Sequence, residues 1–438
     1  MLLIYSQYDS PRFRYTCEVL LHELSGIRIS FTNDVSEFAQ YEGAKINYSS
    51  GTLSDKEIRI EPHSLLFETG IRPLEVTVVK GASYPLLFPT PGGDLLFDIF
   101  AASFYLLSRY EEYLPYQPDE YGRFPHAKSI AFKNEFLRLP VINYWLSDFL
   151  ARLQAKFPTL IIKSPQFRFI PTYDIDMAFS YLHKGIKRNT GGLMRSLIRN
   201  EMSEIKQRIA VLTGKQKDPF DVFDWLDTLH QSHNLRPYYF FLVATSRGRY
   251  DKNINSNHPV MRKLISRHAS AYSVGIHPSW QSSDKPDLLS SEIQTLKAIA
   301  EKEVTNSRQH YIRFHLPDTY RRLIDHGITG EFSMGYATIN GFRASVASPY
   351  YWYDLTREEK TNLLIHPFCF MDANAYYKQK LTPSQAYDEI QYFYHTIRRV
   401  NGTMITIWHN SILGTDRKFL GWKEVYESFI KGIVHGNR

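Results

Sequence analysis

Two carboxylates stand one residue apart at the end of an apolar stretch. Asp174 and Asp176 follow "FIPTY" (169–173), which has the character of a buried strand. Side chains two residues apart on a regular strand point to the same side, so the two acids can act together. One can bind a metal ion while the other accepts a proton, and the ion would keep both ionised. Taken alone, an acidic strand end that caps the next helix is the simpler interpretation.

Imidazole, guanidinium and carboxylate groups recur on or at the ends of other predicted strands. They are His277, Arg308, His310, His315, Asp372 and His409. In parallel α/β folds the chemistry sits at the carboxyl ends of the strands. Aspartate and histidine together form the ligand set of a borderline metal such as Zn²⁺. A single strand-end histidine is more often structural, but several on one expected rim indicate a metal-dependent active site.

The strands that would position these groups alternate with helices after residue 165. The predicted strands are "FRFIPTYDID", "RPYYFFLVA", "AYSVGIHPS", "RQHYIRFHLP", "GEFSMGYA", "NLLIHPFCFMD" and "GTMITIWHNS". The predicted helices cover 193–212, 220–232, 258–268, 288–304, 318–326, 383–400 and 422–435. Seven strands in alternation with helices predict a parallel α/β structure, open or closed.

The first 150 residues read as a separate mixed α/β unit. Its strand candidates are "MLLIYSQ", "IRISFTN", "KINYSS" and "IRIEP". Helical spacing predicts a helix in "RFRYTCEVLLHEL", a long buried helix over 94–114 and a closing helix in "INYWLSDFLARLQAKF". We therefore expect an amino-terminal domain over 1–155, of unknown role, and a second domain over 166–438.

The segment from about 166 to 412 resembles the polysaccharide deacetylases. "TYDID" is similar to the Thr-Phe-Asp-Asp motif of that family, with Ile175 where the family has its second Asp, and "GIHPSW" and "WHNS" follow in the family's order. The resemblance implies an α/β fold of the family's kind, an irregular seven-stranded (β/α) barrel, preceded here by a smaller α/β domain. It also implies that Asp174 is the general base and that Asp176 is a metal ligand.

The metal ligands are less regular than the family pattern. In the family's His-Ser/Thr-x-x-His motif, His277 occupies the first position, but Gln281 replaces the second imidazole. His310 is the nearest candidate for the third ligand, with His315, His366 and Gln281 as reserves. The resemblance implies a divalent metal cofactor, with Zn²⁺ the first expectation and other divalent ions left open.

The remaining motifs imply the proton-transfer groups and the substrate. Arg308 resembles the arginine that orients the base, and Asp372 resembles the aspartate that tunes the general acid His409. Three indoles, Trp280, Trp352 and Trp408, are candidates for a sugar-stacking wall, with core packing expected for at least one. The predicted activity is metal-dependent removal of acetyl groups from an N-acetylated or O-acetylated sugar. The alternatives are a carbohydrate-binding protein on a decayed deacetylase barrel and an amidohydrolase acting on a non-sugar C–N bond.

The positive charge is confined to one segment. The chain has a net charge of +7, and His183–Lys217 alone carries nine basic and two acidic residues, so the rest is close to neutral and we expect no nucleic-acid partner. The apolar residues of 193–212 recur at helical spacing, which predicts a cationic amphipathic helix. It either packs on the barrel with its apolar side buried, or attracts an anionic or lipid-linked sugar at the membrane.

The chain shows no secretion or membrane-spanning signal. "MLLIYSQ" lacks a preceding basic region and reads as a first strand, and no apolar stretch approaches the ~20 residues of a transmembrane helix. The two cysteines cannot form a disulfide framework. The expected location is the cytoplasm, with peripheral membrane contact through 193–212.

Overall fold

The computed structural model describes residues 1–163, 165–244 and 248–435. The strands of its amino-terminal part are β1 (Leu2–Ser6), β2 (Ile29–Thr32), β3 (Ala44–Tyr48), β4 (Ile58–Ile60), β5 (Val78–Lys80) and β6 (Pro85–Leu87). Four of them form a parallel sheet in the order β2-β1-β3-β4, and β5 and β6 form an antiparallel pair. All residues of β1 and β3 are buried, as expected for central parallel strands.

Five described α-helices belong to the amino-terminal part. They are α1 (Pro11–Cys17), α2 (Val35–Gln40), α3 (Ile99–Leu107), α4 (Ile130–Lys133) and α5 (Val141–Lys156). The helix predicted over 94–114 is shorter than expected. Asp98 caps its start by accepting hydrogen bonds from Phe100 N and Ala101 N, each at 3.0 Å. Arg109 ends it in a left-handed conformation (φ 56°), so the next residues form a separate turn.

The rest of the chain is built on a nine-stranded sheet. Its strands are β7 (Arg168–Ile175), β8 (Tyr238–Phe241), β9 (Ser273–Ile276), β10 (Asn306–Ser307), β11 (Gly330–Glu331), β12 (Tyr350–Asp354), β13 (Glu359–Ile365), β14 (Phe370–Met371) and β15 (Thr403–His409). The order is β12-β13-β11-β10-β9-β8-β7-β15-β14, and only β12 runs antiparallel to its neighbour among these described strands. The mixed α/β class is therefore confirmed.

The predicted seven-stranded barrel is not confirmed, because the sheet has nine strands. The segment 362–372, expected to be one strand, contributes to both β13 and β14. The aromatic strand β12 was not predicted at all. The strand expected over 308–317 is also wrong: β10 ends at Ser307, and a short turn at His310–Ile312 follows it.

The helices of this part largely follow the predicted segments. They are α6 (Ile186–Ile198), α7 (Met202–Leu212), α8 (Phe223–Ser232), α9 (Pro259–Ala271), α10 (Pro286–Ala300), α11 (Asp318–Asp325), α12 (Pro383–Arg399) and α13 (Trp422–His435). The single helix expected over 193–212 is instead two, because Asn200 adopts a left-handed conformation (φ 56°) between α6 and α7. No helix in the described part of the chain has the length and apolar composition that crossing a bilayer requires.

One hydrophobic core extends through both parts, and a buried ion pair joins them. Glu112 accepts hydrogen bonds from Arg109 Nε and Arg343 Nε, each at 2.8 Å, and all three residues are buried. Burial alone would raise the pKa of Glu112. The two guanidinium charges outweigh that effect and lower it to about 2. The carboxylate therefore pairs with one cation from each part of the chain, and Glu111 gives Arg109 a second anion at 2.7 Å.

We expect Glu112→Ala to lower the free energy of unfolding by about 3–5 kcal/mol, because it leaves the guanidinium of Arg343 buried without its anion and leaves Arg109 with Glu111 alone. Glu68→Ala is the matched control, since Glu68 pairs with Arg72 at the surface. Its expected loss is about 1 kcal/mol or less. Urea unfolding of both variants checks this, and equal small losses would contradict the assigned role of the buried pair.

Candidate active site

Three potential metal ligands converge at the carboxyl ends of three strands of the nine-stranded sheet. Asp176 follows β7, His277 follows β9, and His310 opens the turn after β10. Each can offer one ligand atom such that the three atoms lie within 4.8 Å of one another. His277 Nε2 is 3.1 Å from Asp176 Oδ1, and His310 Nε2 is 3.7 Å from Asp176 Oδ2. The predicted ligand set is thus brought together in space.

Hydrogen bonds orient the potential donor atoms of this triad toward one point. His277 Nδ1 lies 2.6 Å from the carbonyl oxygen of Arg308, which can only accept, so Nδ1 carries the proton and Nε2 presents its lone pair. His310 Nδ1 is held in the same way by Asp251 Oδ1, at 3.0 Å. Asp176 Oδ1 is buried and has no hydrogen-bond partner among the described residues. An acceptor left open beside two Nε2 atoms fits a divalent ion.

The charges of the site favour a cation at the same point. Burial lowers the pKa of His310, but the carboxylates of Asp176 and Asp251 outweigh it and raise the pKa to about 9. Burial likewise opposes the ionisation of Asp176, yet its interactions with His310 and His277 hold its pKa well below the usual range. A positive charge at this point therefore stabilises the carboxylates of Asp176 and Asp251. Either a proton or a metal ion can supply that charge.

Asp174 is fixed beside the triad by a buried arginine. Arg308 Nη1 donates to Asp174 Oδ1 at 2.8 Å and to Thr172 Oγ1 at 2.7 Å, and Arg308 Nε donates to the Phe332 carbonyl at 3.0 Å. Asp174 Oδ2 lies 3.9 Å from His277 Nε2, on the side of the triad. The carboxylate is therefore anchored through one oxygen, while the other faces the candidate metal ligands.

His409 reaches the same point from the neighbouring strand β15. Asp372 Oδ1 lies 2.6 Å from His409 Nδ1, and Asp372 Oδ2 accepts the His409 backbone N–H at 2.7 Å. His409 Nε2 points inward and lies 3.6 Å from Asp176 Oδ2, outside the three-residue ligand group. Burial opposes protonation, but the charges of Asp372, Asp176 and Asp174 raise the pKa of His409 to about 10.

These groups line a cavity of about 370 Å³ that both parts of the chain enclose. The amino-terminal part contributes Tyr121 and Arg123 to its wall. Arg123 Nη1 donates to the carbonyl of Tyr311 at 2.7 Å, which ties that wall to the turn carrying His310. Tyr121 stacks on Tyr311 with ring centroids 5.6 Å apart. The amino-terminal part is therefore a neighbour of the candidate catalytic groups.

The three predicted substrate-stacking indoles lie in different places. Trp352 and Trp408 are 1% and 0% exposed, so neither can present a face to a sugar, and both pack in the core. Trp280 is partly buried and stacks on Tyr250 at 4.1 Å, next to Tyr121 at 5.7 Å. Only this indole belongs to the aromatic group beside the cavity.

The reserve ligands lie outside the triad. His366 is half-buried and stacks on Phe332, with ring centroids 4.1 Å apart. His315 and Gln281 are not part of the ligand group found among the described residues. His310 can offer a third ligand atom, so a three-residue set is possible without an imidazole at position 281.

Sequence reasoning missed two residues that the structure places at the site. Asp251, which orients His310, lies in an irregular segment whose sequence, "RYDKNIN", has no strand or helix periodicity. Tyr121 lies in a loop of the amino-terminal part, more than fifty residues before Asp174. The "YDKN" acid among polar residues was a signal for a turn, but neither residue carries a local sign of its spatial neighbours.

The chain was compared with family models, curated proteins and solved structures. Residues 2–158 match the model of a family of unknown function, DUF7033. No curated protein matches. Among solved structures, a putative polysaccharide deacetylase from Mycobacterium smegmatis is 13% identical with a TM-score of 0.40, covering 62% of this chain and 85% of that one. A probable polysaccharide deacetylase from Pseudomonas aeruginosa PAO1 is 11% identical with a TM-score of 0.39, covering 73% and 91%. Similarity this low does not itself establish an activity.

A graded loss of metal binding is expected from variants of the triad and its support. His277→Ala should abolish stoichiometric divalent-metal binding, because it removes a ligand. Asp251→Asn should weaken it by about 10–100-fold, because it disturbs the imidazole that Asp251 orients. Calorimetric titration of the metal-free protein with Zn²⁺ measures both.

The controls are two nearby side chains outside the triad. Asp284→Asn removes a largely exposed acid paired with Arg313, and His315→Ala removes a half-buried reserve imidazole. Both variants should bind Zn²⁺ like the unchanged protein. Full metal binding by His277→Ala, or loss of binding in the controls, would show that the ion sits elsewhere.

Proposed function

We propose that this protein is a metal-dependent hydrolase that removes acetyl groups from an N-acetylated, or O-acetylated, sugar. One observation supports the proposal above the others. The Asp176–His277–His310 triad lies between an arginine-held carboxylate, Asp174, and a carboxylate-held imidazole, His409, in one cavity. Amide hydrolysis needs a cation, a base and an acid around one carbon atom, and this arrangement has a candidate for each.

Asp176, His277 and His310 would hold the divalent ion, for which we propose Zn²⁺. A bound ion of this kind polarises an acyl carbonyl and acidifies water at the site. Asp174 is the proposed general base. Its Oδ1 is engaged by Arg308, and its Oδ2 faces the triad, where it can accept the proton of the attacking water. The buried guanidinium also keeps the carboxylate in place through the reaction.

His409 is the proposed general acid. Its proton on Nδ1 is held by Asp372, and Nε2 faces the cavity, so a second proton on Nε2 can pass to the departing amine. The neighbouring carboxylates raise the pKa of His409 to about 10, so the imidazolium form is present at neutral pH. A divalent ion at the triad would offset the charge of Asp176 and bring that pKa closer to neutrality, where proton transfer is most effective.

The aromatic group beside the cavity supports a carbohydrate substrate. Tyr121 and Tyr311 both line the cavity and stack on each other, and Tyr250 and Trp280 pack around them. Aromatic faces of this kind bind the apolar side of a pyranose ring. This favours a sugar over a non-sugar amide.

One observation favours a second candidate function. Gln281 stands where the resemblance implies a second histidine, which is the change expected of a barrel that binds sugars without hydrolysing them. The two functions differ in turnover, since a binding protein would retain the aromatic wall but release no acetate.

Asp174→Asn and His409→Ala should each reduce kcat for deacetylation of an acetylated sugar oligomer by about 10²–10⁴-fold, because each removes one proton-transfer group. Acetate release measures turnover, and Zn²⁺ titration verifies that the ion is still bound. His326→Ala, which removes the partly buried imidazole at the end of α11, is the control and should turn over normally. Near-normal kcat in either active-site variant would remove that residue from the mechanism, and no acetate from the unchanged protein would favour the binding protein.

Tyr121→Ala should raise KM for the same oligomer by about 2- to 10-fold with little change in kcat, because it removes a stacking face that takes no part in proton transfer. Tyr121→Phe keeps the ring and should behave like the unchanged enzyme. A change confined to kcat, or an equal effect of both substitutions, would contradict a stacking role for the amino-terminal part.

A further inference from the structure

The α6–α7 hairpin, residues 186–212, concentrates exposed apolar side chains. Among the described residues, sixteen large hydrophobic side chains are exposed, and seven of these lie in this stretch. They are Ile186, Met194, Leu197, Ile198, Met202, Ile209 and Leu212. Ile186 and Ile198 are 83% and 85% exposed, values rare for isoleucine in a folded protein. A patch of this density indicates a surface that meets an apolar phase.

A partly buried polar contact joins the two helices of the hairpin. Arg208 is buried between the helices, where it donates to Glu204 Oε1 at 2.9 Å and to Asn189 Oδ1 at 3.3 Å. Gly192 leaves room for the guanidinium, since a Cβ there would lie 2.5 Å from Arg208 Nη1. In α6 only Ser196 is buried. Most large apolar side chains of the hairpin are therefore exposed, although α7 does bury Ile205 and Val211.

Cations lie among the exposed apolar residues. Lys187, Arg195, Arg199, Lys206 and Lys215 are all exposed in or beside the hairpin. The two acids of the region are Glu201 and Glu204, and Glu204 is already paired with Arg208. The surface thus combines apolar side chains with excess positive charge, which is the composition of segments that bind anionic lipid headgroups and insert into the acyl boundary.

This composition discriminates between possible partners. A second copy of the chain would bring the same cations together across the interface, and like charges there oppose association. A nucleic acid would neutralise the cations but offers the exposed leucines and isoleucines no apolar phase. An anionic bilayer satisfies both requirements. We propose that the α6–α7 hairpin docks this protein on an anionic lipid surface.

The base of the hairpin is tied to the catalytic rim. Asn410, the residue after His409, donates to the carbonyl of Met177 at 3.0 Å before the hairpin and to that of Phe220 at 2.9 Å after it. Asp218 accepts the backbone N–H groups of Ser180, Tyr181 and Leu182, at 2.8, 2.8 and 3.0 Å. Docking would therefore hold the carboxyl-end rim close to the lipid headgroups. If the proposed deacetylase function is correct, this orientation suits a sugar carried on a lipid.

Sedimentation of the full chain with vesicles tests the docking. Phosphatidylcholine vesicles with and without phosphatidylglycerol are compared at low and high salt. The unchanged protein should pellet with the anionic vesicles only, and less at high salt. Arg195→Gln/Arg199→Gln/Lys206→Gln should reduce partitioning of the protein into the anionic vesicles on the order of 100-fold. Each of the three lost charges contributes roughly tenfold or less. Leu197→Ser/Ile198→Ser keeps every charge and should also reduce it, by about 10-fold or more.

A matched control neutralises the same number of exposed cations elsewhere, Lys128→Gln/Lys133→Gln/Lys263→Gln, and should bind like the unchanged protein. Equal binding by the hairpin charge variant and this control would overturn the proposal, as would absence of binding or equal binding to uncharged vesicles. A dimer in analytical ultracentrifugation that Leu197→Ser/Ile198→Ser dissociates, without vesicle binding, would assign the patch to a second copy and also overturn it.

Activity on a water-soluble acetylated oligomer separates this proposal from the proposed function. The hairpin variants should deacetylate that oligomer at the unchanged rate, because their side chains lie outside the cavity. Vesicle binding without any acetate release would support the docking while removing the hydrolase. Acetate release without vesicle binding would support the hydrolase and overturn the docking. Circular dichroism of each variant checks that the fold is retained.

Discussion

The site depends on a buried positive charge, the guanidinium of Arg308. This side chain is fully enclosed, and an enclosed cation without an anion costs several kcal/mol. Asp174 supplies the opposite charge at 2.8 Å, while Thr172 and Phe332 accept further hydrogen bonds. The backbone carbonyl of Arg308 also holds His277 Nδ1. One residue therefore orients both the proposed base and a proposed metal ligand, and the strands around it cannot shift without unpairing that charge.

Three histidines that follow or end three different strands are oriented by the same kind of hydrogen bond. Each is held at Nδ1 by an acceptor: His277 by the Arg308 carbonyl, His310 by Asp251 and His409 by Asp372. Their Nε2 atoms all turn toward Asp176, at 3.1, 3.7 and 3.6 Å. Acceptors at Nδ1 determine the tautomer before any ligand arrives. The three imidazoles therefore converge on Asp176. His277 and His310 form the compact triad with it and are the proposed ligands, whereas His409 lies outside the triad and is the proposed acid.

The two parts of the chain act as one body around this centre, and one element stands apart from it. The shared core and the Glu112 ion pair place Tyr121 against the turn that carries His310, so the amino-terminal part encloses the cavity. The α6–α7 hairpin buries Arg208 while it exposes Leu197 and six other large apolar side chains. Exposing so much apolar surface opposes stability in water. The proposed docking on a lipid surface would remove that apolar surface from water.

The sequence by itself determined the class of structure and the order of the chemistry. Strand and helix periodicity predicted alternating α/β elements, and parallel topology predicted that Asp174, Asp176, His277 and His409 would meet at one edge, because carboxyl ends of parallel strands share it. These are consequences of local pattern. Tertiary structure alone decided the strand count, because β10 and β14 are two-residue strands defined by their partners, as Ser307 is by Ile276.

Tertiary structure also decided which candidates could take part in the site. Trp280 and Trp408 are both indoles beside a strand-end histidine, yet one lies near the cavity and the other in the core. Asp251 and Tyr121 reach the site only through tertiary contacts, and no sequence periodicity predicts those contacts. Local sequence records the preference of a residue for burial or for a strand. It does not record which distant residue will lie within 3 Å, since that depends on the packing of the whole chain.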